Sequence, residues 1–271
     1  MANVRDLQLR VLDILSEVDK ACQIHRLRYY IMAGTLLGAV RHKGFIPWDD
    51  DLDIGMPRAD YEIFTQKCKE FLPSYLEMVC AENDPDYPLS FAKIQDARTT
   101  LIERKHLKYT GGIYIDVFPL DGVPTHRLSQ VLHFTRFAFY NKLLYFIYRD
   151  PYKYGKGTSS WIPRLARTFF SRQGVQRKLK RMMTKFDFDA SEYICDYDDG
   201  IKGILPKRVV GEPTSIVFEG KEFSGVQDYH TYLSNKYGDY MQIPDKEHQR
   251  QHNFYFLDLN TPYRNSQEKT L

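Results

Sequence analysis

The sequence predicts an α+β protein: a mixed sheet flanked by helices, with an inserted basic helical subdomain. Two hydrophobic periodicities and one charge asymmetry carry that expectation. Apolar residues recur every three or four positions in some stretches, as on one face of a helix, and cluster in short β-rich runs in others. The net charge is only +3, yet residues 125–185 hold fourteen Lys and Arg against the single acid Asp150. That segment carries +13 and the other 210 residues −10. The boundaries expected are a core over 1–124, an insertion over 125–187, and a carboxyl-terminal part, 188–271, that completes the core.

In chain order, Val4, Leu7, Val11, Leu15, Val18 and Cys22 mark an amphipathic helix. Tyr30-Ile31-Met32 reads as a strand, followed by a turn at Gly34-Thr35, a short helix, and a second strand at Ile54-Gly55-Met56. Tyr61, Phe64, Cys68 and Phe71 predict another helix, ended near Pro73. Four β-like runs follow: Leu76 to Cys80, Phe91 to Gln95, Thr99 to Glu103 and Gly112 to Phe118. Asp121-Gly122 reads as a turn. Aromatic and basic residues dominate Arg127 to Tyr148. After a turn-rich break, a second amphipathic segment runs from Trp161 to Phe186. Arg208 to Phe218 reads as a strand pair.

Composition narrows the function. With 271 residues and 43% hydrophobic content, the chain can bury a sizeable core. Its four cysteines, Cys22, Cys68, Cys80 and Cys195, lie far apart with no C-x-x-C, so neither a disulfide framework nor a zinc knuckle is expected. The first twenty residues mix acids and bases and do not resemble a secretory signal, which points to the cytoplasm.

The chemistry concentrates between Tyr29 and Met56. Asp51 and Asp53 are two apart, so on extended backbone they leave one face and can grip a cation together. Gly34 permits a sharp turn and close approach of a ligand, and Thr35 offers a hydroxyl and nearby N–H groups to a phosphate. Arg41 can hold a phosphate with two parallel hydrogen bonds. Asp116 is a lone carboxylate mid-strand, where burial without a partner is costly; either a metal or a nearby arginine would offset it. Lys93 and Arg98 could reach a diphosphate, or serve in ordinary ion pairs.

Gly34-Thr35-Leu36-Leu37-Gly38, Arg41, Gly44 and Ile46-Pro47-Trp48-Asp49-Asp50-Asp51-Leu52-Asp53 together resemble the signature of the LicD family. Tyr237-Gly238-Asp239-Tyr240, Pro244, Arg250 and His252 are similar to that family's closing pattern. The resemblance implies a nucleotidyltransferase-like fold and transfer of phosphocholine from CDP-choline to a sugar hydroxyl of a cell-surface glycan or a lipid-linked teichoic acid precursor, releasing CMP. It also implies a third acid from a later strand, for which Asp116 is the match, so that Asp51, Asp53 and Asp116 would hold Mg²⁺ or Mn²⁺. Substrate contacts are expected from Gly34, Thr35, Arg41, Lys93, Arg98 and His252, with Trp48 a candidate for the choline head. Rival readings are another phospho-alcohol such as ribitol phosphate, a nucleotide, or nucleic-acid binding through the basic segment; no nucleic acid is expected as a partner. Rings interleaved with bases in residues 125–185 also suit peripheral contact with an anionic membrane.

Overall fold

The computed structural model describes residues 4–84, 87–103, 110–152, 156–249 and 254–266. Helix α1 (Val4–His25) buries Leu7, Val11, Leu15, Val18 and Cys22 of the expected stripe and Ile14 besides, with Val4 half-buried, and packs on strands β4 (Ala92–Ile102) and β5 (Gly111–Val123). The expected strand–helix–strand unit is β1 (Tyr30–Ile31), α2 (Ala33–His42) and β2 (Asp53–Pro57). Helix α3 (Arg58–Phe71) follows at once and buries Tyr61, Phe64 and Cys68. All four cysteines are free and buried.

These strands join β3 (Leu76–Val79), β8 (Thr214–Phe218), β9 (Lys221–Gly225) and β10 (Phe256–Asp258) in one mixed sheet, ordered β10-β4-β5-β2-β1-β9-β8 with β3 also on β4. The β2–β5 and β1–β9 pairs are parallel and the rest of that path antiparallel. The carboxyl-terminal residues therefore supply both edges of a sheet whose centre comes from the first half.

Three local expectations change. The runs Phe91 to Gln95 and Thr99 to Glu103 form one strand, β4, because a bulge between Asp96 and Leu101 lets pairing with β5 resume. Asp121-Gly122 is not a turn but the end of β5, paired with β6 (Tyr193–Cys195), which in turn pairs with β7 (Leu205–Pro206). A carboxylate fits there because Arg58 forks onto it, with Nε–Oδ1 2.7 Å and Nη2–Oδ2 2.5 Å. The expected strand pair from Arg208 to Phe218 is instead α7 (Lys207–Val210) followed by β8. Gly211, at φ 58°, ends the helix, and Glu219 and Gly220, at 52° and 73°, form the two-residue hairpin turn to β9.

Residues 125–185 form α4 (Arg127–Tyr148), α5 (Trp161–Phe169) and α6 (Arg172–Met183). The single segment expected over 161–186 is broken at Ser171, whose hydroxyl accepts from Gly174 N–H at 3.1 Å and caps α6. The three helices share a hydrophobic cluster of their own, including Phe134, Phe137, Leu144, Ala166 and Leu179, which closes over Val123, Cys195 and Tyr197.

Candidate active site

Three short connections build the site. Between β1 and α2 the chain turns at Ala33, whose φ of 47° is left-handed. The turn expected of Gly34 is thus made one residue earlier. What Gly34 provides is room: a Cβ there would lie 2.9 Å from Asp49 Oδ2. Thr35 is buried, and its Oγ1 accepts the Asp53 N–H at 2.9 Å. That bond ties the first turn of α2 to the first residue of β2.

Asp53 then lies directly opposite Asp116 in the parallel β2–β5 register. Along β5, Ile113, Ile115 and Val117 are buried while Tyr114, Asp116 and Phe118 alternate with them on the more open face. Adjacent strands are about 4.8 Å apart, so two carboxylates are held side by side by backbone pairing rather than by flexible side chains. Asp116 N–H donates to Leu52 O at 2.9 Å, extending that pairing to the segment bearing Asp51.

Crowding of carboxylates dominates the electrostatics. Withdrawal from water, then the charges of Asp51, Asp116 and Asp49, hold Asp53 well above the usual carboxylate range, with Lys236 pulling the other way. Desolvation lifts Asp116 to about 7 against the opposing charge of Lys93. Asp49 rises to about 8, through desolvation and then the charge and hydrogen bond of Asp51.

A cavity of about 360 Å³ opens here. It is lined by Gly34, Asp49, Asp51 and Asp53 and by Asp196, Asp198, Asp199 and Lys236, with the rings of Phe118 and Tyr237. Lys236, on α8 (Tyr229–Tyr237), is ion-paired with Asp199. Desolvation and the charge of Asp199 raise Asp196 to about 6. Sequence reasoning missed this second acidic group. Its signal, three aspartates within four residues at 196–199, was present without a family motif around it.

Several expected contacts lie elsewhere. Arg41 donates from Nη1 to the carbonyls of Tyr240 at 2.9 Å and Gln242 at 3.2 Å, and from Nε to His42 at 2.9 Å. It ties α2 to the segment after α8, so its fork faces the protein and not the cavity. Trp48 packs against the main core, edge-on to His42 at 6.2 Å. Arg98 is clamped on Asp96 at 2.9 and 2.7 Å and lies 3.7 Å from the Tyr75 ring, at the β4 bulge. Lys93 is buried opposite Asp116 in the β4–β5 register; it bonds Glu103 at 2.7 Å and stands 3.1 Å from the Tyr114 ring centre. His252 lies outside the described residues.

Among the described residues, no group of three or more His, Cys, Asp or Glu stands in an arrangement that would hold a metal ion. The donor set nevertheless suits a hard cation. It offers carboxylate oxygens alone. Asp116 Oδ1 is buried without a well-aligned hydrogen bond, and Lys93 Nζ lies 3.4 Å from it.

Comparison with known proteins places the chain in a family. Residues 26–145 match the family described as LicD/FKTN/FKRP, nucleotidyltransferase domain. The β1–α2–β2 unit and its aspartates therefore sit in a nucleotidyltransferase domain. Over 266 residues the chain is 31% identical to the lipopolysaccharide cholinephosphotransferase LicD of Haemophilus influenzae, covering 92% of this chain and 95% of that protein. An uncharacterised protein of Rickettsia prowazekii is 32% identical over 121 residues, 44% of this chain and 41% of its own length. The chain belongs to the LicD family.

Proposed function

We propose that this protein transfers phosphocholine from CDP-choline to a sugar hydroxyl of a cell-surface glycan, releasing CMP. The reading is carried by the in-register pair Asp53–Asp116 beside an acid-walled cavity. Near full-length similarity to a protein named a lipopolysaccharide cholinephosphotransferase supports the transferred group and the acceptor class. A teichoic acid precursor is an acceptor of the same chemistry, and a cytoplasmic location would give access to the nucleotide-activated donor.

In this reaction the acceptor oxygen bonds to the phosphorus carrying choline as that phosphorus separates from the CMP oxygen, and the hydroxyl proton passes to a base. Asp51, Asp53 and Asp116 would hold Mg²⁺ or Mn²⁺, which would supply positive charge to offset that of departing CMP. The strands fix the spacing of these carboxylates, and phosphoryl transfer is mostly positioning and electrostatics, so no covalent enzyme intermediate is needed. Lys93 Nζ lies 3.4 Å from Asp116 Oδ1, on the strand that pairs with β5. Phe118 and Tyr237 line the cavity and replace Trp48 as candidates for the trimethylammonium head.

The test is a transfer assay with methyl-labelled choline in CDP-choline, CDP-ribitol as competitor donor, and lipopolysaccharide or teichoic acid precursor lacking phosphocholine. Label in the glycan with one CMP released per choline supports the proposal. Transfer from CDP-ribitol alone, or nucleotide incorporation, would replace it.

A further inference from the structure

Helix α5 faces the wrong way for a packed amphipathic helix. Such a helix ordinarily turns its large apolar residues toward the core. Here Trp161, Ile162, Leu165 and Phe169 are 63%, 54%, 54% and 74% exposed, while the buried residues are the small Pro163 and Ala166. At about 100° per residue, positions 161, 162, 165 and 169 fall within one arc of about 100°. They form a continuous apolar stripe with Arg164 exposed at its flank. The orientation is fixed: Arg167 donates from Nε to Ile147 O and from Nη2 to Arg149 O, both at 2.9 Å, which locks α5 to the end of α4.

The surroundings indicate what covers the stripe. Arg136, Lys142, Arg177, Lys178 and Arg181 stand exposed on the neighbouring helices, and Lys185 just after α6. Between α4 and α6 lies a groove of about 1190 Å³ walled by Arg136, Lys178, Arg181 and Lys185, with no acid in its lining. An exposed apolar stripe and an exposed basic surface on helices of one insertion match the interface of an anionic bilayer, where side chains enter the headgroup boundary and Lys and Arg meet lipid phosphates. A second copy of this chain would bring two segments of +13 together. No helix among the described residues is long and apolar enough to cross a membrane. The nine residues of α5 reach about 14 Å, enough to lie in an interface and too short to span it.

We propose that the outward stripe of α5, with the basic surface of α4 and α6, docks this protein peripherally on anionic lipid bilayers. The inference rests on the insertion alone and is independent of the reaction proposed above.

The experiment uses the full chain with vesicles of phosphatidylcholine alone and of phosphatidylcholine with phosphatidylglycerol, at low and high salt. Binding to the anionic vesicles at low salt is expected, with a blue shift of tryptophan emission that a Trp161→Phe variant lacks. Trp161→Ser, Leu165→Ser and Phe169→Ser combined should lower partitioning at least about tenfold with an unchanged thermal transition. Arg177→Gln, Lys178→Gln and Arg181→Gln combined should do the same and reduce the salt dependence. Lys180 is left in place because it pairs with Glu82 at 2.9 Å. Failure to bind anionic vesicles overturns the proposal, as does undiminished binding by the serine variant. A dimer in light scattering that the serine variant dissolves would assign the stripe to a second copy instead.

Discussion

At the scale of single residues, the site is a set of charges that repel one another. Asp53→Asn or Asp51→Asn should reduce turnover by about a thousandfold or more, while the metal-free fold keeps or slightly raises its stability because like charges separate. Wild-type turnover in either variant would remove these aspartates from the mechanism. The raised pKa values of Asp49, Asp53 and Asp116 also set a sign for pH. The folded protein holds protons that the unfolded chain has lost above about pH 4, so stability falls as pH rises through the folded values. His42 and His133, lowered mainly by desolvation, oppose this slope only below their usual range. With EDTA present, the melting temperature should therefore drop from about pH 6.5 to about pH 8.5. Added Mg²⁺ or Mn²⁺ should restore it more at the upper pH. A rise in the metal-free protein would contradict the crowded-carboxylate account.

At the scale of elements, β5 joins the site to the insertion. Its middle carries Asp116, and its end carries Asp121, fully buried and held by Arg58 from the start of α3. Arg58→Met would leave a carboxylate without its cation in the core and should cost about 3–5 kcal/mol. Adding Asp121→Asn should recover part of that loss in chemical denaturation. If the single variant unfolds like the wild type, the pair is not what keeps that strand end in place. The same strand end bears Val123, part of the insertion's hydrophobic cluster, so loosening there should also be visible in hydrogen exchange of α4.

At the scale of the whole molecule, the cavity exists only because distant parts of the chain meet. Gly34 to Asp53 supply one part of its lining, Phe118 comes from the middle of β5, and Asp196 to Tyr237 supply another part. If the two rings recognise the trimethylammonium group, cation–π attraction of about 0.5–2 kcal/mol should favour CDP-choline over CDP-glycerol by about two- to thirtyfold in kcat/KM. Tyr237→Leu with Phe118→Leu should shrink that ratio toward one while retaining CMP release. Equal efficiency for both donors in the wild type would exclude choline selection by these rings and leave the carboxylate pair standing.

The sequence by itself determined the local units and the first half of the chemistry. Periodicity marked α1 and α3, and the spacing of Asp51 and Asp53 marked a paired acidic face. An isolated aspartate between β-branched residues marked Asp116. These signals were legible because each depends on neighbours within a few positions. Pairing of Asp53 with Asp116 is a matter of strand register, which links residues sixty-three apart and leaves no local trace. For the same reason Asp196, Asp198, Asp199 and Lys236 went unseen: folding alone brings them to the cavity. Tertiary structure also decided among chemically equivalent bases. Arg41 and Arg98 could each have bound phosphate, but Arg41 is engaged by backbone carbonyls and Arg98 by Asp96. Lys93 lay on a strand whose register set it beside Asp116. In the insertion, composition showed rings and bases without showing which faced inward. Packing settled that, burying Phe134 and Phe137 and leaving Trp161 and Phe169 in water, because a helix can bury only the face that its neighbours cover.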